Sequence, residues 1–290
     1  MTEGFDFNEA DIDVMLANLD SFSEEEVVEI DRMVDELSTR SKNKRAYDDL
    51  IEFCKLMMPD FIVGKHHRIL ADLLMGIESG EKDRICVNIP PRHGKSQLVS
   101  IFFPAWFLGR NPDKKVMMVS HTTDLAVDFG RKVRNLIALD AYRSIFPTVK
   151  LAQDSKSAGR WNTNVGGEYY ACGIGSALAG RGADLLLVDD PHSEQDVING
   201  NFGVFEKAYE WFTFGARTRL MPNGAVAIIQ TRWHLDDLTG RVVRDMGKNE
   251  RADQYDVVEF PAILDVLDKK TEKTVQKPLW PEFFDLEALL

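Results

Sequence analysis

At 290 residues, 44% hydrophobic and 28% charged, the chain has the composition of a globular protein with room for one large domain, or for a core domain with an appendage. No apolar run approaches the roughly 20 residues a membrane helix needs, and the acidic N-terminus does not read as a signal or transit peptide. The net charge of −12 excludes a surface that grips nucleic acid all over, so any such contact must use a local patch, or other chains or domains.

The charge is unevenly placed. Thirteen Asp and Glu, from Glu3 to Glu36, fall in residues 1–36 against one basic residue, Arg32. Residues 1–20 are acidic with scattered apolar positions and little periodicity. Ser23-Glu24-Glu25-Glu26 fits a capping box, in which a hydroxyl and a carboxylate satisfy free backbone N–H groups. Val27, Ile30, Met33, Val34 and Leu37 then recur at helical spacing and predict an amphipathic helix over 24–38. Residues 38–45 are polar and basic and read as a linker. Further helical patterns cover 46–58, stopped by Pro59, and 66–79, ended by Gly80.

From there short apolar strands alternate with helices. Strands are predicted over 85–89, 116–120, 168–172, 185–189, 225–230 and 256–260, and helices over 95–108, 122–139, 203–220 and 235–246. Strands apolar throughout, joined by helical crossovers, indicate a mostly parallel sheet covered on both faces, an α/β fold of three layers. Cys54, Cys86 and Cys172 lack the paired spacing of a zinc site or disulfide framework and read as buried thiols in a reducing compartment. Residues 277–290 look like the start of a further element. The expected division is an acidic helical extension over 1–45, a core over 46–265 and a linker toward a further domain over 266–290.

Ile89-Pro90-Pro91-Arg92-His93-Gly94-Lys95-Ser96 lies between the apolar ICVNI and QLVSIFFPAWFL, where a strand passes into a helix. The usual phosphate-binding loop is G-x-x-x-x-G-K-[S/T]; here Ile89 takes the first glycine position. The chemical requirements are kept. Gly94 lets the backbone approach phosphates, Lys95 reaches the β and γ oxygens, and Ser96 can ligate Mg²⁺. The helix that starts there, with Gln97 in its first turn, aims N–H groups and a positive dipole end at the anion. Pro91, Arg92 and His93 complete the loop, and Arg92 is a candidate phosphate contact.

Leu185-Leu186-Leu187-Val188-Asp189-Asp190 is an apolar strand ending in two carboxylates. Asp189 is expected to hold Mg²⁺, directly or through water, and Asp190 to orient and deprotonate the attacking water. Gln230 and Thr231, at the tip of another strand, are candidates to sense the γ-phosphate. Arg181, between Gly180 and Gly182, suits an arginine finger, or else a contact to DNA phosphate or a surface acid. Phe61 or Ile62 with His67 could supply the apolar face and edge hydrogen bond that adenine needs, and an ordinary helix start explains them equally. The adjacent His66 and His67 have no Cys or carboxylate at ligand spacing to complete a metal site.

In order, these elements resemble the ATPase half of phage large terminase subunits. The matching stretches are HHRILADLL, IPPRHGKSQLVSIFFPAWFLGRNPDKKVMMVSHT, GGEYYACGIGSALAGRGADLLLVDDPH and AIIQTRWHLDDLTGR, spanning about 66–241. That family's loop likewise carries an Arg and lacks the leading Gly. Its acidic motif falls on Asp189 and Asp190, its coupling motif on Gln230-Thr231-Arg232, and its adenine motif near His67. Asp replaces Glu at 190 and His replaces Gln at 67. The resemblance implies a P-loop NTPase of the additional-strand, RecA-like type that hydrolyses MgATP to translocate double-stranded DNA. It also implies a pentameric ring on a portal protein, a small terminase subunit that selects DNA, and work at the procapsid portal vertex in the cytoplasm of an infected bacterium. A neighbour's arginine often completes each site in that family, so a finger at Arg181 could act on its own site or in trans, and an RNase-H-like nuclease domain would follow residue 290. Residues 1–45 match no part of the pattern. A helicase-like DNA-dependent ATPase fragment, a small-molecule kinase and a non-hydrolysing nucleotide-binding assembly module are the alternatives.

Overall fold

The computed structural model describes residues 22–153, 155, 157–268 and 272–290. The expectations for residues 1–21 lie outside the described residues.

The capping box forms as the sequence predicts: the Ser23 hydroxyl accepts from the Glu26 amide, and the Glu26 carboxylate accepts from the Ser23 amide at 2.8 Å. The helix it starts, α1 (Glu24–Asp48), runs straight through residues 38–45, where a linker was expected. That stretch holds neither Gly nor Pro, and Arg and Lys are good helix formers, so a polar run there does not break the helix. The Trp106 indole donates to the Ala46 carbonyl at 3.1 Å and ties the end of α1 to the core. Asp49 then caps α2 (Leu50–Met57) by accepting the Glu52 amide, and α3 (Lys65–Ser79) follows.

A seven-stranded sheet is the centre of the fold. In chain order its strands are β1 (Arg84–Asn88), β2 (Lys115–Ser120), β3 (Arg160–Asn162), β4 (Glu168–Gly173), β5 (Ala183–Asp189), β6 (Leu220–Gln230) and β7 (Asp256–Glu259). They lie in the order β3-β4-β2-β5-β6-β1-β7, and every pairing is parallel except β3 with β4. Alternate residues of each strand face opposite layers, as the pleat dictates. Ile85, Val87, Leu185, Leu187 and Ala227 pack against α2, α3 and α4 (Phe103–Arg110) on one face. Cys86, Leu186, Val188 and Ile228 meet Phe212, Leu238 and Val242 on the other. All three cysteines are buried free thiols.

The remaining helices are α5 (Thr123–Ile137), α6 (Asp140–Ile145), α7 (Glu194–Ile198), α8 (Gly203–Glu210) and α9 (Leu238–Lys248). The helix predicted over 203–220 stops short. α8 gives way to a π-helical turn, Trp211–Ala216, then to one 3₁₀ turn, and β6 already begins at Leu220. Its start is disguised in sequence by Pro222-Asn223-Gly224, a turn signal. In the fold this stretch is a register irregularity against β5, with Asn223 at φ 63°. An antiparallel hairpin not anticipated from sequence, β8 (Ile263–Asp268) with β9 (Lys273–Pro278), runs across residues 265 and 266. Beyond it Leu279 and Trp280 are buried. Because β1, β2, β5, β6 and β7 are parallel, their C-terminal ends meet at one edge of the sheet, the edge where such folds bind ligands.

Candidate functional site

The loop after β1 turns on two residues of positive φ, Arg92 at 62° and Gly94 at 76°. A Cβ at position 94 would lie 2.3 Å from His67 Nε2, so both the angle and the space require glycine. The chain is helical from Lys95 onward, at first as a π-helical turn, Gln97–Phe102. Lys95 is buried and directed at the two strand-end acids. Its ammonium donates to Asp190 Oδ2, lies 3.6 Å from Asp189 Oδ1 and 3.3 Å from Ser96 Oγ. Burial by itself depresses the Lys95 pKa, but the charges of Asp189 and Asp190 outweigh it and raise the value above the ordinary one. Asp190 is pushed upward by burial and by the charge of Asp189, against the pull of Lys95 and the Thr231 amide.

Asp190 sits at φ 45°, an unusual conformation for a residue with a side chain, and it is held from several directions. Its amide donates to the Ile229 carbonyl at 3.0 Å, and its Oδ1 accepts the Thr231 amide at 2.8 Å. Its carbonyl accepts from the His121 backbone N–H at 3.0 Å and from the His121 imidazole at 3.2 Å. Thr231 in turn donates its hydroxyl to the Ile89 carbonyl at 3.2 Å, tying the tip of β6 to the loop. Asp189 Oδ2 accepts the Ser100 hydroxyl at 2.6 Å, while Oδ1 is buried with no hydrogen-bond donor among the described residues. Gln230 is buried beside them, and neither its side-chain Oε1 nor its Nε2 has a hydrogen-bond partner among the described residues.

Lys95, Ser96, Asp189, Asp190 and Thr231 are therefore brought together. Pro91 and Arg92 are exposed at the loop tip, and Arg92 has no hydrogen-bond or ion-pair partner among the described residues. A cleft of about 660 Å³ opens beside them, lined by Asn88, Pro90, Pro91, Thr231, Trp233 and Glu259. Arg181 is not part of this assembly. It precedes β5, whose seven residues span about 23 Å at the usual strand rise, and so stands at the opposite edge of the sheet. There it binds Glu168 at 3.2 Å and covers the Tyr170 ring at 4.6 Å. A finger role within its own chain is thus ruled out by distance. His67 also departs from expectation. It is fully buried under the loop, its Nδ1 accepting the Gly64 amide and its Nε2 facing the His93 carbonyl, each at 3.0 Å. Neither nitrogen is free for an adenine edge. Phe61 packs beside it, 5.2 Å between ring centroids.

Three residues that touch the site went unnoticed in sequence. Ser100, a polar residue inside the apolar QLVSIFF, carried a usable signal. His121, directly after β2, carried a weaker one. Glu259 carried none: it accepts from Asn88 at 2.9 Å and pairs with Arg232 at 3.3 Å, linking the ends of β7, β1 and β6 only through the fold.

Residues 86–200, which hold the loop, both acids and His121, match the family described as terminase large subunit, T4likevirus-type, N-terminal. No curated protein matches the chain significantly. Among solved structures, the HK97 bacteriophage large terminase is similar at 14% identity with a TM-score of 0.48, over 74% of this chain. The chain spans 43% of the length of that terminase. The matching segment ends at residue 200, so Thr231 and the other residues that close the site from β6 lie outside it.

Proposed function

We propose that the chain is the ATP-hydrolysing half of a phage terminase large subunit, a P-loop NTPase that drives double-stranded DNA into a procapsid. The observation that carries this reading is the convergence of Lys95, Asp189, Asp190 and Thr231 at the strand-end edge of a parallel sheet. The strand β6, lying between the loop strand β1 and the acid strand β5, supports the additional-strand, RecA-like type.

In this reading Gly94, Lys95, Ser96 and Gln97 turn backbone N–H groups and the positive end of the helix toward the β and γ phosphates. Lys95 exchanges Asp190 for phosphate oxygens, and the unpaired Arg92 adds a second cation at the mouth. Asp190, freed of Lys95, accepts the proton of the attacking water, a role its raised pKa favours. Thr231 holds that carboxylate through its amide and passes the change at the phosphate to the tip of β6. Two carboxylates against one ammonium leave the site negative, and the donor-free Asp189 Oδ1 suits a cation, so Asp189 and Ser96 would hold Mg²⁺. When bound, the ion neutralises charge on the phosphate oxygens.

The partners follow from the family: double-stranded DNA, a portal protein, a small terminase subunit and further copies in a pentameric ring, at the portal vertex in the infected bacterial cytoplasm. Arg181, at the far edge of the sheet, would serve a neighbour's site and not its own. The test is steady-state turnover of MgATP. Lys95→Ala is expected to lower it by at least about 10²-fold, as loss of a group that stabilises transition-state charge does, with the circular-dichroism spectrum retained. Turnover untouched by that substitution would sink the site assignment.

A further inference from the structure

The His93 carbonyl, one residue before Gly94, is approached from below the loop by two imidazoles. His66 Nε2 and His67 Nε2 each lie 3.0 Å from it. The proton positions follow from the partners. His67 Nδ1 accepts the Gly64 amide, so the ring proton is on Nε2, and an imidazole nitrogen facing a carbonyl must donate. Both rings are buried, their centroids 3.9 Å apart. Trp280, from the segment after β9, packs edge-on against them at 5.5 and 4.8 Å, and Phe284 covers His93 at 5.1 Å.

Among the described residues no peptide bond is cis, so across the 93–94 bond the carbonyl and the next N–H point in opposite directions. A carbonyl held down toward His66 and His67 therefore turns the Gly94 N–H up, away from the imidazoles. Glycine at 94 tolerates either sign of φ, so nothing local prevents that peptide from flipping. We propose that His66 and His67 are positioning residues of the phosphate loop, holding the His93 carbonyl so that the Gly94 amide is presented to a bound nucleotide's phosphates. The role rests on the ATPase reading and replaces base recognition as the task of His67.

Asparagine and glutamine at 67 separate the two ends of the ring in the full chain. Gln places an amide donor near the position of Nε2, in reach of His93, while Asn reaches only the position of Nδ1, near Gly64. Kd for MgADP, and KM and kcat for MgATP, would be measured beside the melting temperature. His67→Gln is expected to stay within about 3-fold of the parent chain, and His67→Asn to lose about 10–100-fold in Kd and KM, the scale of one hydrogen bond to a charged group, with kcat changed far less. His66→Phe, which keeps the ring packing and removes the donor, is expected to weaken binding in the same way. Folded Asn and Gln variants that both bind as the parent does, or Asn binding better than Gln, would overturn the positioning role alone. A parent chain that binds no MgADP or MgATP, or binds them equally with Lys95→Ala, would overturn the ATPase reading and this role together.

Discussion

Asp190 shows how a single residue is both costly and held. A non-glycine residue at φ 45° is strained by about 1–3 kcal/mol, which persists only where neighbours over-determine it. Here the neighbours are Ile229, Thr231, Lys95 and His121. His121 contributes twice to the Asp190 carbonyl, once from backbone and once from its ring. His121→Ala removes the ring donor and leaves the backbone bond, so the carboxylate should lose some aim without losing its charge. A fall of about 10-fold in kcat with KM little changed is expected, the usual size of a small misplacement. Steady-state kinetics on the folded variant decides it, and a selective rise in KM would contradict it.

At the scale of elements, the loop is clamped between α3 below and the tips of β5 and β6 beside it. Gly94 is where the loop meets α3, since its φ is 76° and a Cβ there would lie 2.3 Å from His67 Nε2. Gly94→Ala should therefore push on His67 and strain the backbone together, lowering stability by about 1–3 kcal/mol and abolishing MgATP binding. Denaturant midpoints together with a nucleotide titration check both, and an alanine variant with parental midpoint and affinity would show that the loop has slack. Neighbouring elements account for what was and was not legible in sequence. The capping box and apolar strands were visible because their signals are local. The continuation of α1 through residues 38–45 was not, since a polar helical stretch and a linker share one composition. The true start of β6 was hidden because Pro222-Asn223-Gly224 signals a turn that the β5 pairing absorbs.

Across the whole molecule, burial of neutral histidines makes stability depend on pH. Desolvation pushes His67 from its ordinary 6.5 down to about 3 and His192 down to about 4, and lowers His66. A histidine whose folded pKa is depressed takes up its proton mainly in the unfolded chain, so its stabilising effect is complete above pH 6.5 and is lost as pH falls from 6.5 toward 4 and 3. Each such histidine costs up to about 1.4 kcal/mol per pH unit in that window. The urea midpoint should drop clearly between pH 7 and pH 5 with an unchanged slope; a midpoint that holds or rises would contradict the buried neutral state. The phosphate-loop pattern, the acid pair at a strand end, the alternation of strand and helix and the resemblance to terminases were all set by residue type and spacing along the chain. Those properties are local and survive in a linear string. The strand order, the far-edge placement of Arg181, the burial of His67 beneath Gly94 and the grip of His121 on Asp190 were decided by tertiary structure alone. They depend on which strand pairs with which, and that choice rests on non-local burial that no window of sequence contains.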